Sequence, residues 1–304
     1  MRLSLSTASL YLYPLRRIFA LARDLGFEGL ELVLSPEVFA RGSRYVRRLS
    51  QEHGLPIFTL HPPMIPTPNW REHHRLLPQM IPWARELGCQ FIVIHAPKAL
   101  NLTDELGRQY REAVEVCVRE LRTSSPKLSL ENQAVFRATD RRYILSTPSN
   151  LRRFADECDL VLTLDTAHAA SFPYDLGEAY QIFRGRLGNI HLSDFRSELS
   201  IPPWFNLHSY FKHHQIPGDG DLPLVEFLRR LRADSYEGLI TLEISPVALQ
   251  AWSPSRARQN LARCVDFVRK ALERSCDHPW TDEDEHSTLE RGVHCRMRAN
   301  TKAR

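Results

Sequence analysis

No stretch of this 304-residue sequence is apolar for the roughly 18 residues a membrane-spanning helix needs, which excludes a helical integral membrane protein. No Cys-x-x-Cys pair occurs. The six cysteines stand far apart, at 89, 117, 158, 264, 276 and 295, which argues for scattered reduced thiols and against a disulfide framework or a zinc cage. No Gly-x-Gly-x-x-Gly follows the first apolar run, where a dinucleotide-binding open sheet would carry it. Charge of one sign is scarce as well. The formal net charge of +4 is too small to indicate nucleic-acid binding by itself. The N-terminus lacks a long apolar core before a small-residue cleavage site, because Arg16 and Arg17 follow Pro14 within it. These absences lead us to expect a soluble cytoplasmic protein. Its 43% hydrophobic and 25% charged residues are ordinary globular usage.

What the sequence does have is a recurring short apolar run that ends in a polar or ionisable residue. The runs cover 3–6, 29–34 (with Glu31 inside), 56–61, 91–95, 127–131, 160–165, 189–194 and 239–243. Runs of this length rich in Leu, Ile and Val fit strands of a parallel sheet buried on both faces. Between them lie amphipathic stretches at 15–25, 76–87, 105–121, 150–158 and 222–231, the first two stopped by Gly26 and Gly88. Run ends recur every 27 to 49 residues, and one strand, one helix and two loops need about 30. Eight such units predict a (β/α)8 barrel, a single domain over 1–275. The longest step holds an irregular segment, 195–221, with Ile201-Pro202-Pro203-Trp204 and Pro217-Gly218-Asp219-Gly220. A loop of that length leaving a barrel strand is usually functional, often a lid. Residues 276–304 carry an acidic run and then scattered basic residues with few apolar ones, and read as a disordered tail.

In such a barrel the C-terminal strand ends share one face, and sites are built there. The residues that would converge are His61, His95, Glu131, Asp165, His191 and Glu243, with Asp194 just past His191. His168 follows three residues after Asp165, and His213 and His214 sit on the long loop. Taken singly each has an ordinary alternative: a solvated histidine, an N-capping Asp165, a Glu131 bonded to a backbone amide. Taken together, three carboxylates and several imidazoles at one opening require a cation to neutralise them, and a divalent metal is the simplest one.

These elements resemble the xylose isomerase-like barrels, a superfamily of sugar-phosphate isomerases and epimerases and of apurinic endonucleases of the endonuclease IV type. The resemblance spans about residues 1 to 272. It rests on Leu60-His61-Pro62, Ile94-His95-Ala96-Pro97, Leu130-Glu131-Asn132, Asp165-Thr166-Ala167-His168, Ile190-His191-Leu192-Ser193-Asp194, His214 with Pro217-Gly218-Asp219-Gly220, and Leu242-Glu243. In the epimerase branch it implies one divalent ion held by Glu131, Asp165, His191 and Glu243. Three carboxylates and one imidazole suit Mn²⁺ or Mg²⁺ and tolerate Zn²⁺ or Co²⁺. Glu131 and Glu243 would then move a proton next to a ketose carbonyl, His168 would contact a substrate oxygen, and Arg196 would clamp a hydroxyl or phosphate. The partner would be a small sugar or sugar phosphate.

In the endonuclease branch the resemblance implies three zinc ions and an abasic nucleic acid. His61 and His95 would hold the first with Glu131 bridging. Glu131, Asp165, His191 and Glu243 would hold the second. His168, His214 and an aspartate two residues before His214 would hold the third. Lys212 occupies that last place, and a protonated lysine cannot ligate, which leaves a two-metal site, or a single-metal site with His61 and His95 as substrate-binding groups. Arg16, Arg17, Arg44, Arg47, Arg48, Arg229, Arg230 and Arg232 read as solvated faces of outer helices. Trp204, Phe205, Tyr210 and Phe211 could stack on bases or close over a sugar. A third class, a non-catalytic sugar-binding barrel, ranks last because both Glu131 and Glu243 are present. The resemblance also allows a homo-oligomer, without naming its interface.

Overall fold

The computed structural model describes residues 1–64, 73–122, 125–172, 175–199 and 207–273. Eight strands form a closed parallel barrel in sequence order. They are β1 (Arg2–Ser6), β2 (Gly29–Val33), β3 (Ile57–His61), β4 (Phe91–His95), β5 (Lys127–Glu131), β6 (Val161–Asp165), β7 (Leu187–Leu192) and β8 (Leu239–Leu242). β8 returns to β1 with Ser4 opposite Thr241, which closes the ring. Each strand matches one of the eight apolar runs to within about two residues at its ends.

The two faces of these strands differ more than the runs suggest. Leu5, Leu30, Leu60, Ile92, Leu130, Leu162, Ile190 and Leu242 join the helices in one hydrophobic core. The residues that alternate with them include Ser4, Ser6, Glu31, Thr59, Ser129, Thr163, Asn189 and Thr241, all fully buried. By the period-two rule these line the barrel interior. They bond to one another there: Thr59 Oγ1 to Glu31 Oε2 (2.9 Å), Ser129 Oγ with Thr163 Oγ1 (2.7 Å), and Thr241 Oγ1 to Asn189 Oδ1 (2.9 Å). The interior is thus largely polar, with Val93 of β4 as an apolar exception, and the ligand-type residues continue it at the upper end.

The five amphipathic stretches are helical, at Leu15–Asp24, Leu77–Leu87, Glu105–Leu121, Pro148–Cys158 and Leu224–Ala233. Two further long helices were not singled out from the sequence. Pro36–His53 is kinked at Gly42, whose φ is 73°, and buries Val38, Val46 and Leu49. Pro254–Glu273 packs Leu261, Cys264, Val265 and Val268 into the core and closes the helical ring. Arg16 and Arg48 are exposed and reach Glu52, as solvated helix faces do. Cys89, Cys117, Cys158 and Cys264 are buried and unpaired. Among the described residues no helix is long and apolar enough to cross a membrane. The expected tail, Cys276 and Cys295 within it, and Trp204 and Phe205 lie outside the described residues.

Candidate metal centre

The strands deliver their terminal side chains to one point. His191 ends β7 but for one residue and is fully buried. Its Nδ1 lies 2.9 Å from Glu243 Oε2, 3.2 Å from Glu131 Oε1 and 4.0 Å from Asp165 Oδ2. The register explains this, since Asp165 stands opposite His191 across β6 and β7. Glu243 follows directly after β8, and Glu131 closes β5.

Asp165 serves two purposes. Oδ1 caps the helix Thr166–Ser171 by accepting from the His168 N–H (2.7 Å), so the capping reading is correct. Its other oxygen, Oδ2, is buried and has no hydrogen-bond partner. An unpaired buried carboxylate oxygen is costly, and burial together with the charges of Glu131 and Glu243 pushes the Asp165 pKa up.

Several imidazoles around this point have one ring nitrogen committed outward. His61 Nδ1 faces the Pro62 carbonyl (2.7 Å) and His168 Nδ1 the Asn132 carbonyl (2.9 Å). A carbonyl only accepts, so both nitrogens carry hydrogen. His61 Nε2 then faces Glu131 as a lone pair when the ring is neutral, while His168 Nδ1 itself also lies 3.3 Å from Glu131 Oε1. His191 Nε2 faces Glu31 Oε2 at 2.9 Å, which leaves Nδ1 for the carboxylate cluster. Outer acceptors that fix the tautomer are the usual support of a metal-binding histidine.

The charges agree with that arrangement. Burial alone would lower the pKa of His191, but Glu31, Glu131 and Glu243 lift it well above the ordinary value. His168 is similarly opposed by burial, yet Asp165 and Glu131 bring it up to about 9. Burial would raise Glu131, while the charge of His191 and bonds from His168, His191 and His61 hold it well below the usual carboxylate range. Burial likewise opposes Glu243, which His191 holds down to about 2. The cluster therefore needs positive charge, and the imidazoles supply it as protons in the chain alone.

Three sets of side chains bring their donor atoms within 4.8 Å of one another: Glu131, Asp165, His191 and Glu243; His61, His95 and Glu131; Asp165, His168 and His214. Ligands on opposite sides of an ion at about 2.2 Å stand about 4.4 Å apart, so the first set fits a divalent ion. In the second, His95 Nε2 is 3.0 Å and His61 Nε2 3.6 Å from Glu131 Oε2. In the third, His214 Nδ1 lies 3.8 Å from the unpaired Asp165 Oδ2. Lys212 is outside that set, its Nζ donating to the Ser197 carbonyl (2.9 Å).

Arg196 does not join the cluster. It is exposed, and its Nε donates to the Asp219 carbonyl (3.2 Å) in the Pro217–Gly220 turn. His213 is buried beside the rings of Phe136 and Phe195, and burial together with the neighbouring cations pushes its pKa down to about 2. Glu31 was not singled out from the sequence as a site residue. A lone carboxylate inside an otherwise apolar five-residue strand was the signal for it.

A family model described as a xylose isomerase-like TIM barrel matches residues 19–271. An uncharacterized protein of Mycobacterium tuberculosis is 27% identical over 293 residues, covering 89% of this chain and 98% of that protein. Fructoselysine 3-epimerase of Shigella flexneri is 24% identical over 260 residues, covering 76% of this chain and 85% of that enzyme. The crystal structure of D-psicose 3-epimerase from Clostridium cellulolyticum H10 with D-tagatose superposes with a TM-score of 0.67 at 17% identity, covering 90% of this chain and all of that one. At that identity the structural likeness shows a common fold.

Proposed function

This chain belongs to the xylose isomerase-like TIM barrel family, and on that footing we propose that it is a metal-dependent isomerase or epimerase of a sugar or sugar phosphate. The observation that carries the reading is the convergence of Glu131 and Glu243 on His191 Nδ1, at 3.2 and 2.9 Å, beside the unpaired Asp165 Oδ2. Two carboxylates at one buried point can take a proton from a carbon next to a carbonyl and return one. The names of the similar fructoselysine and D-psicose 3-epimerases describe reactions on keto sugars.

Glu131, Asp165, His191 and Glu243 would hold one divalent ion, Mn²⁺ or Mg²⁺ before Zn²⁺ or Co²⁺. Bound there, it supplies Lewis-acid polarisation of the carbonyl and of the neighbouring hydroxyl. One glutamate accepts the C–H proton as a carboxylate. It returns the proton to the adjacent carbon, or the proton passes from it to the other glutamate, which delivers it to the opposite face, and no net proton is gained or lost. Glu243, slightly exposed at 5%, and Glu131, at 2%, are shielded from bulk water for this transfer. His168, with Nδ1 bonded to Asn132, presents Nε2 to a substrate oxygen. The Asp219 carbonyl holds the Arg196 side chain at the loop surface, so a clamp on a hydroxyl or phosphate would require it to leave that bond. The catalytic unit would be residues 1–275, acting in the cytoplasm.

A second reading, a zinc-dependent apurinic endonuclease, is favoured by the His61, His95 and Glu131 set, for which the single-ion scheme has no metal role. One preparation tests both. About one Mn²⁺ or Mg²⁺ per chain, with exchange of a ketose C–H for solvent deuterium that Glu243→Gln abolishes, supports the first. Two or three zinc ions per chain with nicking of abasic duplex DNA overturns it. Full activity in Glu243→Gln removes the acid/base assignment.

A further inference from the structure

The segment 207–222 carries both His214 and the Pro217-Gly218-Asp219-Gly220 turn, and one buried carboxylate organises it. Asp194 lies two residues past β7 and is fully buried. Its Oδ1 accepts from the backbone N–H of Phe195 (2.8 Å) and of Leu222 (3.0 Å). Its Oδ2 accepts from the N–H of Gly218 (2.8 Å). Its own backbone exchanges two hydrogen bonds with Gln215, at 2.8 and 2.9 Å. Asp194 thus grips the segment at positions 215, 218 and 222.

The composition of the turn follows from that grip. A Cβ on Gly220 would stand 2.4 Å from Asp194 Oδ1 and 2.5 Å from the Phe195 carbonyl oxygen. Gly218 adopts a φ of +90° to present its N–H to the carboxylate. Glycine at both positions is what a backbone wrapped closely round a carboxylate requires.

His214 is the next residue before Gln215. It has a φ of +53°, a sparsely populated conformation that persists only where the surroundings dictate it. Here they do so from both sides, because the Asp194 pairing fixes Gln215 and the Ser245 N–H donates to the His214 carbonyl (2.7 Å). The result is an imidazole whose Nδ1 lies 3.3 Å from Ser193 Oγ and 3.8 Å from Asp165 Oδ2. On the other flank, the Arg196 N–H donates to the Lys212 carbonyl (2.9 Å), which keeps the lysine's backbone at the rim.

We infer that Asp194 is a positioning residue: its carboxylate clasps the 215–222 turn and so sets His214 against Asp165. The significance of that placement rests on the metal-centre reading above, while the placement itself is a property of the chain and is tested without metal.

The experiment uses the full-length, metal-stripped protein, carbethoxylated with diethyl pyrocarbonate and read residue by residue by mass spectrometry. Asp194→Asn keeps an oxygen for Phe195 and Leu222 but sets an amide N–H against that of Gly218. Asp194→Ala removes all three bonds. Gly220→Ala forces the clasp from the other side and leaves the carboxylate intact. We expect His214 labelling to rise about tenfold in Asp194→Asn and Gly220→Ala and further in Asp194→Ala, with His61 and His191 within about twofold of wild type. The graded order, with the conservative variant in between, distinguishes positioning from general loosening. Unchanged His214 labelling in the variants, or an equal rise at every histidine, overturns the inference. A wild-type protein that fails to bind Mn²⁺ sinks the metal reading and leaves the labelling result standing.

Discussion

Glu31 is the residue whose replacement most sharply tests how the centre is held. It is fully buried, and its Oε2 lies 2.9 Å from His191 Nε2 and accepts from Thr59 Oγ1 at 2.9 Å. Glu31→Gln is nearly isosteric and removes only the charge. A hydrogen bond to a charged group contributes about 1.5–3 kcal/mol and a neutral one about 0.5–1.5, so the exchange weakens the hold on His191 by about 1–1.5 kcal/mol. That is about a tenfold loss of metal affinity, at the lower end of the 10–100-fold found when the outer partner of a metal-bound histidine is lost. Titration calorimetry with Mn²⁺ on wild type and variant measures it, with circular dichroism as the check on folding. An affinity within twofold of wild type in a natively folded variant would refute the reasoning, since His191 would then not depend on Glu31. Glu31→Leu is a poorer probe, because it leaves the His191 N–H and the Thr59 hydroxyl buried without that partner.

Three other outcomes follow from the same geometry. Asp165→Asn keeps the helix cap to His168 and removes an anionic donor oxygen from the cluster, so Mn²⁺ affinity should fall about a hundredfold; thermal melts with and without Mn²⁺ show whether the ion still stabilises the variant. His191 and His168 are raised above 6.5, His168 to about 9, so both are protonated at neutral pH and an ion bound through His191 must displace a proton. Affinity should therefore rise with pH, about tenfold per unit between about pH 6 and 8, and calorimetry in buffers of different ionisation heat should register the released proton. Burial pushes the Cys89 and Cys264 thiols up to about 12 and Cys117 and Cys158 to about 11. These four should react with Ellman's reagent only in denaturant, and labelling of any of them in the native protein would contradict their burial.

The barrel was legible because strands β3 to β8 end at or beside an ionisable residue where an apolar run stops, and that junction is where a parallel barrel places its site. His61, His95, Glu131, Asp165, His191 and Glu243 all sit at such junctions and come together. Glu31 was passed over because it lies two residues short of the end of β2, opposite Ser6 and Thr59, and not at the strand end where a barrel site is expected, although it is the lone charge in that run. Arg196 misled for a related reason. Its spacing from His191 suggests proximity, but β7 ends at Leu192 and the chain turns at the Asp194–Gln215 bridge, which carries the arginine out to Asp219. The helix Pro36–His53 was readable from Val38, Tyr45, Val46 and Leu49 but was not singled out, and only its kink at Gly42 is a property the backbone alone reveals.

The pair His61 and His95 carries the choice between one ion and two. Their Nε2 atoms stand 3.1 Å apart, both near Glu131 Oε2. The Pro62 carbonyl commits His61 Nδ1 as a donor, so a neutral His61 presents a lone pair at Nε2. Two lone pairs at that distance repel, so either one nitrogen carries a proton or both face a cation. In the first case a hydrogen on His95 Nε2 is shared between the His61 Nε2 lone pair and Glu131 Oε2, and it stabilises the glutamate as a carboxylate, as a proton-transferring base requires. In the second case His61, His95 and Glu131 would hold an ion in place of that proton, and Glu131, a ligand in both sets, would no longer be free to act as the base. The occupancy of this pair therefore decides not only the metal count but whether Glu131 can act on a carbon-bound proton at all.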